Sequence, residues 1–253
     1  MDPFTIIAGL GWILIPLFFW GVWYAIKKGK ERRGETSGLA APADADPKGE
    51  NEANIPDVHW LLGEDSPTGR KVLDCRPYAL GMHMMTSDKA VAEKFLCLMQ
   101  SDGDELDGKS PEKAWLVAVD WEFDYEQAAA MAEGMRAQSM EDLWMVDCRK
   151  ERLYFRRSWT GQLMFMTNLR VVPTMGAVVT RIWVTGEGQI ATQSPDYVAA
   201  YVRHLIDTHL LGVLTPFPIP PDFPGNEKEI ASFVFHSVGR RGWLAEYFRR
   251  EQI

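Results

Sequence analysis

The chain has 253 residues, 46% of them hydrophobic, with 27 Lys and Arg against 35 Asp and Glu and a net charge of −8. That balance argues against a general nucleic-acid binder, whose phosphate-facing surface is basic, and the apolar fraction is enough for a folded core. Cys75, Cys97 and Cys148 are the only cysteines and show no paired spacing, which fits a reducing compartment and excludes a disulfide framework.

Residues 4–26, FTIIAGLGWILIPLFFWGVWYAI, carry no charge. At ~1.5 Å of rise per helical residue the run covers the ~30 Å hydrocarbon core of a bilayer. Lys27, Lys28, Lys30, Arg32 and Arg33 follow at once, against Asp2 alone on the other side. The positive-inside rule then places the N-terminus outside and the rest of the chain in the cytoplasm of an inner (plasma) membrane. Trp20, Trp23 and Tyr24 cluster at the cytoplasmic end, where amphipathic rings favour the headgroup layer. Pro16 is tolerated in a membrane helix by local adjustment of the freed carbonyl. A cleaved signal peptide would have a basic start and a shorter apolar core, and a core helix apolar on every face is rare in a domain of this size. The expectation is a single-pass transmembrane anchor over residues 1–33. Gly9-Leu10-Gly11 leaves one small-residue notch without the glycine spacing of a dimerising helix.

Residues 34–56, GETSGLAAPADADPKGENEANIP, have no aromatic side chain and read as a disordered acidic linker that reaches roughly 25 Å. With the anchor flank, Asp2 and Glu31 set aside, 22 basic side chains face 33 acidic ones, so the remainder carries about −11. Residues 57–253 suffice for one domain with its own core.

Within that domain, residues 87–100 are predicted as a helix opened by Ser87, with Val91, Phe95, Leu98 and Met99 on one stripe. Residues 114–123 alternate as a strand, and the alanine- and methionine-rich 125–138 read as a helix. Residues 143–148 and 152–157 flank a tight Arg149-Lys150-Glu151 connection, which predicts an antiparallel hairpin. Strands over 161–172 and 176–186 follow, then a helix over 194–211 with a Ser-Pro start and Gly212 past its end. After a proline-rich stretch at 215–224, residues 226–248 read as a last helix interrupted near Gly239. Strands grouped between helices predict an α+β fold with a mostly antiparallel sheet.

Two segments, Ser139-Met140-Glu141-Asp142-Leu143-Trp144 and Leu153 to Gly161 (LYFRRSWTG), resemble an uncharacterised bacterial family with a Met-Glu-Asp-x-Trp and Leu-Tyr-Phe-x-Arg-Ser-Trp-Thr-Gly signature. The resemblance extends to Asp74-Cys75-Arg76-Pro77, to His209, to residues 216–220 and to Gly239-Arg240-Arg241. It implies one coherent domain and no particular activity.

Arg156, Arg157 and Trp159, with Glu141 and Asp142, form the first candidate for a ligand or partner surface. Strand alternation sends the two arginines to opposite faces, and Glu141 or Asp142 could supply a carboxylate to the inward one. A functional site would set an Arg and the Trp159 ring beside a phosphate or nucleobase; the alternative is a structural ion pair with a tryptophan packed over a glycine turn. Asp74-Cys75-Arg76 puts a thiol beside a cation, the arrangement of an activated nucleophile, against the more usual buried and inert cysteine. Met82-His83-Met84-Met85 has soft copper-type ligands that adjacent residues cannot readily converge. His204 and His209, five apart, do not share a helix face in the manner of a zinc pair. The C-terminal Arg240, Arg241, Arg249 and Arg250, interleaved with Trp243, Tyr247 and Phe248, either lie on the anionic leaflet or pack their rings on the sheet. No cofactor motif is present, so none is expected. The leading functional reading is a membrane-anchored cytoplasmic interaction or regulatory module with the lipid bilayer and a protein as partners and no nucleic acid. One alternative is an enzyme or sensor for a phosphorylated or nucleotide-like ligand. The other is an accessory subunit of a membrane complex.

Overall fold

Alternating side chains along the middle of the chain need a structure that separates two sets, and a sheet does so. The computed structural model describes residues 57–173 and 175–249; the expected membrane span, its basic flank and the linker lie outside the described residues. Among the described residues no helix is long and apolar enough to cross a membrane.

The strands are β1 (His59–Leu61), β2 (Val72–Asp74), β3 (Trp115–Phe123), β4 (Trp144–Arg149), β5 (Arg152–Arg157), β6 (Leu163–Asn168), β7 (Arg170–Val172), β8 (Gly176–Val184), β9 (Phe217–Ile219) and β10 (Leu244–Tyr247). The helices are α1 (Arg76–Gly81), α2 (Lys89–Gln100), α3 (Tyr125–Glu133), α4 (Pro195–Leu205), continued by a π-turn at Ile206–Leu210, and α5 (Glu227–Val238). The larger sheet runs β3-β8-β6-β5-β4, with β7 beside β8, and every pairing in it is antiparallel. This is the α+β fold with a mostly antiparallel sheet that the strand grouping predicts.

One sheet face carries Trp144, Val146, Leu153, Phe155, Phe165, Ile182 and Val184 into the main core, where α4 supplies Val198, Tyr201, Val202 and Leu205. The opposite face of β4 and β5 carries Met145 and Tyr154. Met145 packs with Phe95 of α2, and Tyr154 with Leu106 of the acidic loop that follows α2. The β4–β5 connection turns on Lys150 and Glu151 alone, both at positive φ (48° and 57°), as a two-residue hairpin turn requires.

Several boundaries differ from the sequence reading. Asp88, not Ser87, caps α2, accepting from the amides of Ala90 and Val91. Helix α3 stops at Gly134 (φ 69°), after which Met135 pairs with Val146 as an extended residue. The last helix ends at Val238 rather than near 248, and residues 244–247 form β10. It lies in a second sheet, β1-β2-β10-β9, whose β9–β10 pair is parallel. Leu244 and Ala245 are both fully buried there, so the segment lacks the alternation that would betray a strand.

Candidate functional site

The Arg156–Trp159 segment is internal architecture. Alternation does place the two arginines on opposite faces, but the carboxylates that meet Arg156 are not Glu141 or Asp142. Arg156 is 1% exposed; its Nε lies 2.9 Å from Asp147 Oδ2 on β4 and its Nη1 2.5 Å from Glu105 Oε1 on the acidic loop. Arg136 reaches Asp147 Oδ1 at 2.6 Å. Burial raises the Asp147 pKa even against these two cations, and Asp147 reaches Arg156 diagonally on one face of the β4–β5 pair, where Asp147 is opposite Tyr154 and Arg156 opposite Met145.

Arg157 enters the core face. Its guanidinium lies over the Trp144 ring at 4.9 Å and donates to the carbonyls of Ser237 (2.9 Å) and His236 (3.2 Å). These belong to the last turn of α5, whose carbonyls have no intrahelical donor and whose dipole presents negative charge. No described carboxylate pairs with Arg157, and burial lowers its pKa. Trp144 Nε1 (2.8 Å) and Tyr201 OH (2.9 Å) donate to the same Ser237 carbonyl. Trp159 donates to the Met140 carbonyl at 2.7 Å and packs on Phe95. All three aromatic or cationic groups that made this segment a candidate therefore bond to the protein's own backbone or side chains.

Glu141 and Asp142 precede β4 in a loop rather than lying on a strand. Glu141 Oε1 accepts from the Met84 amide at 3.2 Å and its Oε2 lies 3.0 Å from Arg240 Nη2. Burial opposes the charge of Glu141, but these bonds outweigh it and hold its pKa below the usual range. Asp142 Oδ2 accepts from the amides of Gln138 and Ser139 at 2.9 and 3.2 Å.

The other candidates resolve similarly. Arg76 forks onto Asp74 at 2.8 and 2.6 Å, so its charge is engaged. Burial, with Asp74 adding to it, pushes the Cys75 thiol up to about 12, the reverse of nucleophile activation. Met84 packs against the core while Met85 is 83% exposed, so the methionine run does not converge. Tyr247 stacks on Trp60 and Phe248 meets Tyr197 edge-on, so the C-terminal rings pack on the fold.

His204 and His209 are buried with ring centroids 6.3 Å apart. His209 Nε2 donates to the Val238 carbonyl at 3.2 Å, and His204 Nδ1 lies 3.4 Å from the hydroxyls of Thr208 and Thr215. Burial, first of all, lowers the two to about 4 and about 3. Unfolded histidine titrates at about 6.5. Between that value and about 4 the unfolded chain therefore binds protons that the folded chain does not, and stability falls as pH falls through that window. Urea unfolding of the full chain is expected to show a decline in unfolding free energy from pH 7 to 5. The double variant His204→Gln, His209→Gln should flatten that slope whatever its absolute stability; an unchanged slope would contradict the assignment.

A concave site does form where the end of α5 meets the loop before β4. Gly239 sits at φ 78° with its Cα hydrogen pressed toward Glu141: a Cβ there would lie 2.2 Å from the Glu141 carbonyl oxygen. That close approach lets the Arg240 amide donate to the same carbonyl at 3.0 Å and sets the Gly239–Arg241 turn against the loop. The resulting cleft, about 570 Å³, is lined by three stretches of chain: Gln138, Ser139 and Asp142; Thr208 with Gly212, Val213 and Leu214; and Arg240, Arg241 and Trp243. Arg241 Nη1 donates to the His209 carbonyl at 3.2 Å, and no described carboxylate pairs with it. Trp243 is 41% exposed and Val213 47%. Of the residues read as a site from sequence, only Asp142 lines this cleft. Arg240, Arg241 and Trp243 belong to the basic aromatic segment; what sequence did not reveal is that they line one cleft with Thr208 and Gln138.

Comparisons with protein-family models, with curated proteins and with solved structures gave no match.

Proposed function

We propose that the chain is a membrane-tethered recognition module of the cytoplasmic face that holds a protein partner at the Arg240–Arg241–Trp243 cleft. The observation that carries the reading is Arg241, a cation in a concave site whose described partner is a single backbone carbonyl, beside a half-exposed tryptophan. Arginine and tryptophan are the side chains on which interface binding energy concentrates when a partner seals them from water. The uncharged run and its basic flank supply the tether, and the acidic linker lets the domain reach for a partner beneath the membrane.

The enzyme or sensor alternative assigned ligand contact to Arg157 and Trp159, which bond to the backbone of Ser237, His236 and Met140. The carboxylates it paired with them, Glu141 and Asp142, are bonded to Arg240 and to backbone amides, and the separate candidate nucleophile, Cys75, is held as a neutral thiol. These contacts favour the interaction reading.

Mild-detergent co-purification of the full chain tests it. A partner recovered with the natural chain is expected to be lost with Arg241→Glu, since reversing a central charge costs at least ~2 kcal/mol, about thirtyfold in Kd. The chain itself should stay with membranes through alkaline carbonate extraction. Undiminished recovery with Arg241→Glu would overturn the cleft as the recognition element, and a partner that binds through Gly9-Leu10-Gly11 would favour the accessory-subunit reading.

A further inference from the structure

We infer that the cleft takes a single carboxylate presented by a polypeptide segment, flanked by an apolar or aromatic side chain. The inference rests on the recognition reading above and names its ligand chemistry.

Charge in the cleft decides the anion. Arg240 Nη2 lies 3.0 Å from Glu141 Oε2, so that cation is already paired. Asp142 lines the same cleft. Arg241 is therefore the one cleft cation with no described carboxylate; its described hydrogen bond runs from Nη1 to the His209 carbonyl, one of the five N–H donors that a guanidinium carries. A monoanionic carboxylate matches that fork geometrically and by charge. A phosphate group carries about −1.5 to −2 at neutral pH. It would set that charge against one free cation with Asp142 and Glu141 close by. The net −8 of the chain works in the same direction, since it repels a run of acidic residues more than a lone one.

The rim specifies the neighbour. Val213 and Trp243, 47% and 41% exposed, line the cleft together with Leu214, a surface for an apolar or aromatic side chain next to the carboxylate. Gly212, at φ 66°, would bring a Cβ near no other atom, so the wall at that point is open to an approaching backbone. A volume of about 570 Å³ lies within the ~300–1,000 Å³ that ordinary ligand sites span.

The source of the carboxylate, a chain terminus or an acidic side chain, is separated by the probes. Four are titrated into the full chain in mild detergent and followed by ligand-observed saturation-transfer NMR. They are acetyl-Ala-Ala-Leu-Phe with a free C-terminus, acetyl-Ala-Leu-Asp-Phe-amide, its Asn analogue acetyl-Ala-Leu-Asn-Phe-amide, and phenyl phosphate. One of the two carboxylate peptides is expected to bind at least tenfold more tightly than the neutral Asn peptide. Arg241→Gln should abolish that preference, and Trp243→Ala should weaken the favoured peptide while keeping the preference. Tighter binding of phenyl phosphate, equal binding of the neutral peptide, or no binding by any probe would each overturn the carboxylate assignment. If such a result stands beside loss of the partner with Arg241→Glu, the ligand class is wrong and the recognition cleft survives. If Arg241→Glu leaves the partner bound, the recognition reading itself fails.

Discussion

Arg156→Leu should lower the unfolding free energy of the full chain by about 3–5 kcal/mol, the usual consequence of stripping one member from a buried ion pair. Arg156 and Asp147 are 1% and 2% exposed, so water cannot replace the lost partner. Arg136 would remain on one Asp147 oxygen, but its own side chain is 37% exposed and the inner oxygen would face leucine. The acidic loop suffers too, because Glu105 loses its contact with Arg156. Gly103 of that loop lies against Asp147, where a Cβ would come within 2.8 Å of Oδ1. Arg156→Leu combined with Asp147→Leu should recover much of the loss, since apolar groups of similar volume often replace a buried pair at little penalty. Urea unfolding monitored by circular dichroism makes the comparison. A single variant within ~1 kcal/mol of the natural chain would show that the pair is not the desolvated contact described here.

Trp144→Ala should be about as severe, ~3–5 kcal/mol, for a different reason. Trp144 is 1% exposed, stacked on Phe165 with centroids 5.6 Å apart and meeting Tyr201 edge-on at 6.2 Å. Its removal leaves a cavity at the centre of the main core and takes the ring from beneath Arg157. Trp144→Phe keeps one aromatic ring in place. It gives up the bond from Nε1 to Ser237, whose carbonyl still accepts from Arg157 and Tyr201 at 2.9 Å each, and with it the second ring of the indole. The Phe variant should therefore lose about 1–3 kcal/mol, one hydrogen bond and a partial cavity, and less than the Ala variant. Equal losses for Ala and Phe would mean that the Ser237 bond, not the ring, dominates. Because α5 leads directly into Gly239, the same contacts hold the Arg240–Arg241 turn in place.

How far the sequence revealed this fold depends on how local each signal is. Alternation over β4 and β5 was readable because both strands are six residues long and joined by two turn residues. The same alternation correctly separated Arg156 from Arg157. The second sheet was hidden: β1, β2 and β9 have three residues each and β10 four, too short for a period. β10 pairs antiparallel with β2, far back in the chain, and parallel with β9, from which α5 separates it, so neither pair is a hairpin. Residues 226–248 read as one helix because apolar side chains continue past Gly239. The glycine at φ 78° marks the true end, and Leu244 and Ala245 are buried because they occupy a central strand.

Charge partners were the least legible level. A cation and a carboxylate in sequence give no pairing rule, and the choice falls to loops that fold back from afar. Glu105 reaches Arg156 across 51 positions and Arg240 reaches Glu141 across nearly a hundred. Once those pairs form, Arg241 is left, and the functional candidate moves from Arg157 to the end of α5. Sequence singled out the basic aromatic segment; only the fold separates its engaged cation from its available one.

A photo-crosslinking amino acid placed at position 243 of the full chain in cells tests whether the cleft holds a protein partner. A control chain carries it at Leu116, on the exposed side of the edge strand β3. A discrete protein adduct is expected from position 243 that disappears when Arg241→Glu is added, and none of that mass from position 116. An adduct from position 116 alone, identical adducts from both positions, or no adduct from position 243 would contradict recognition at the cleft.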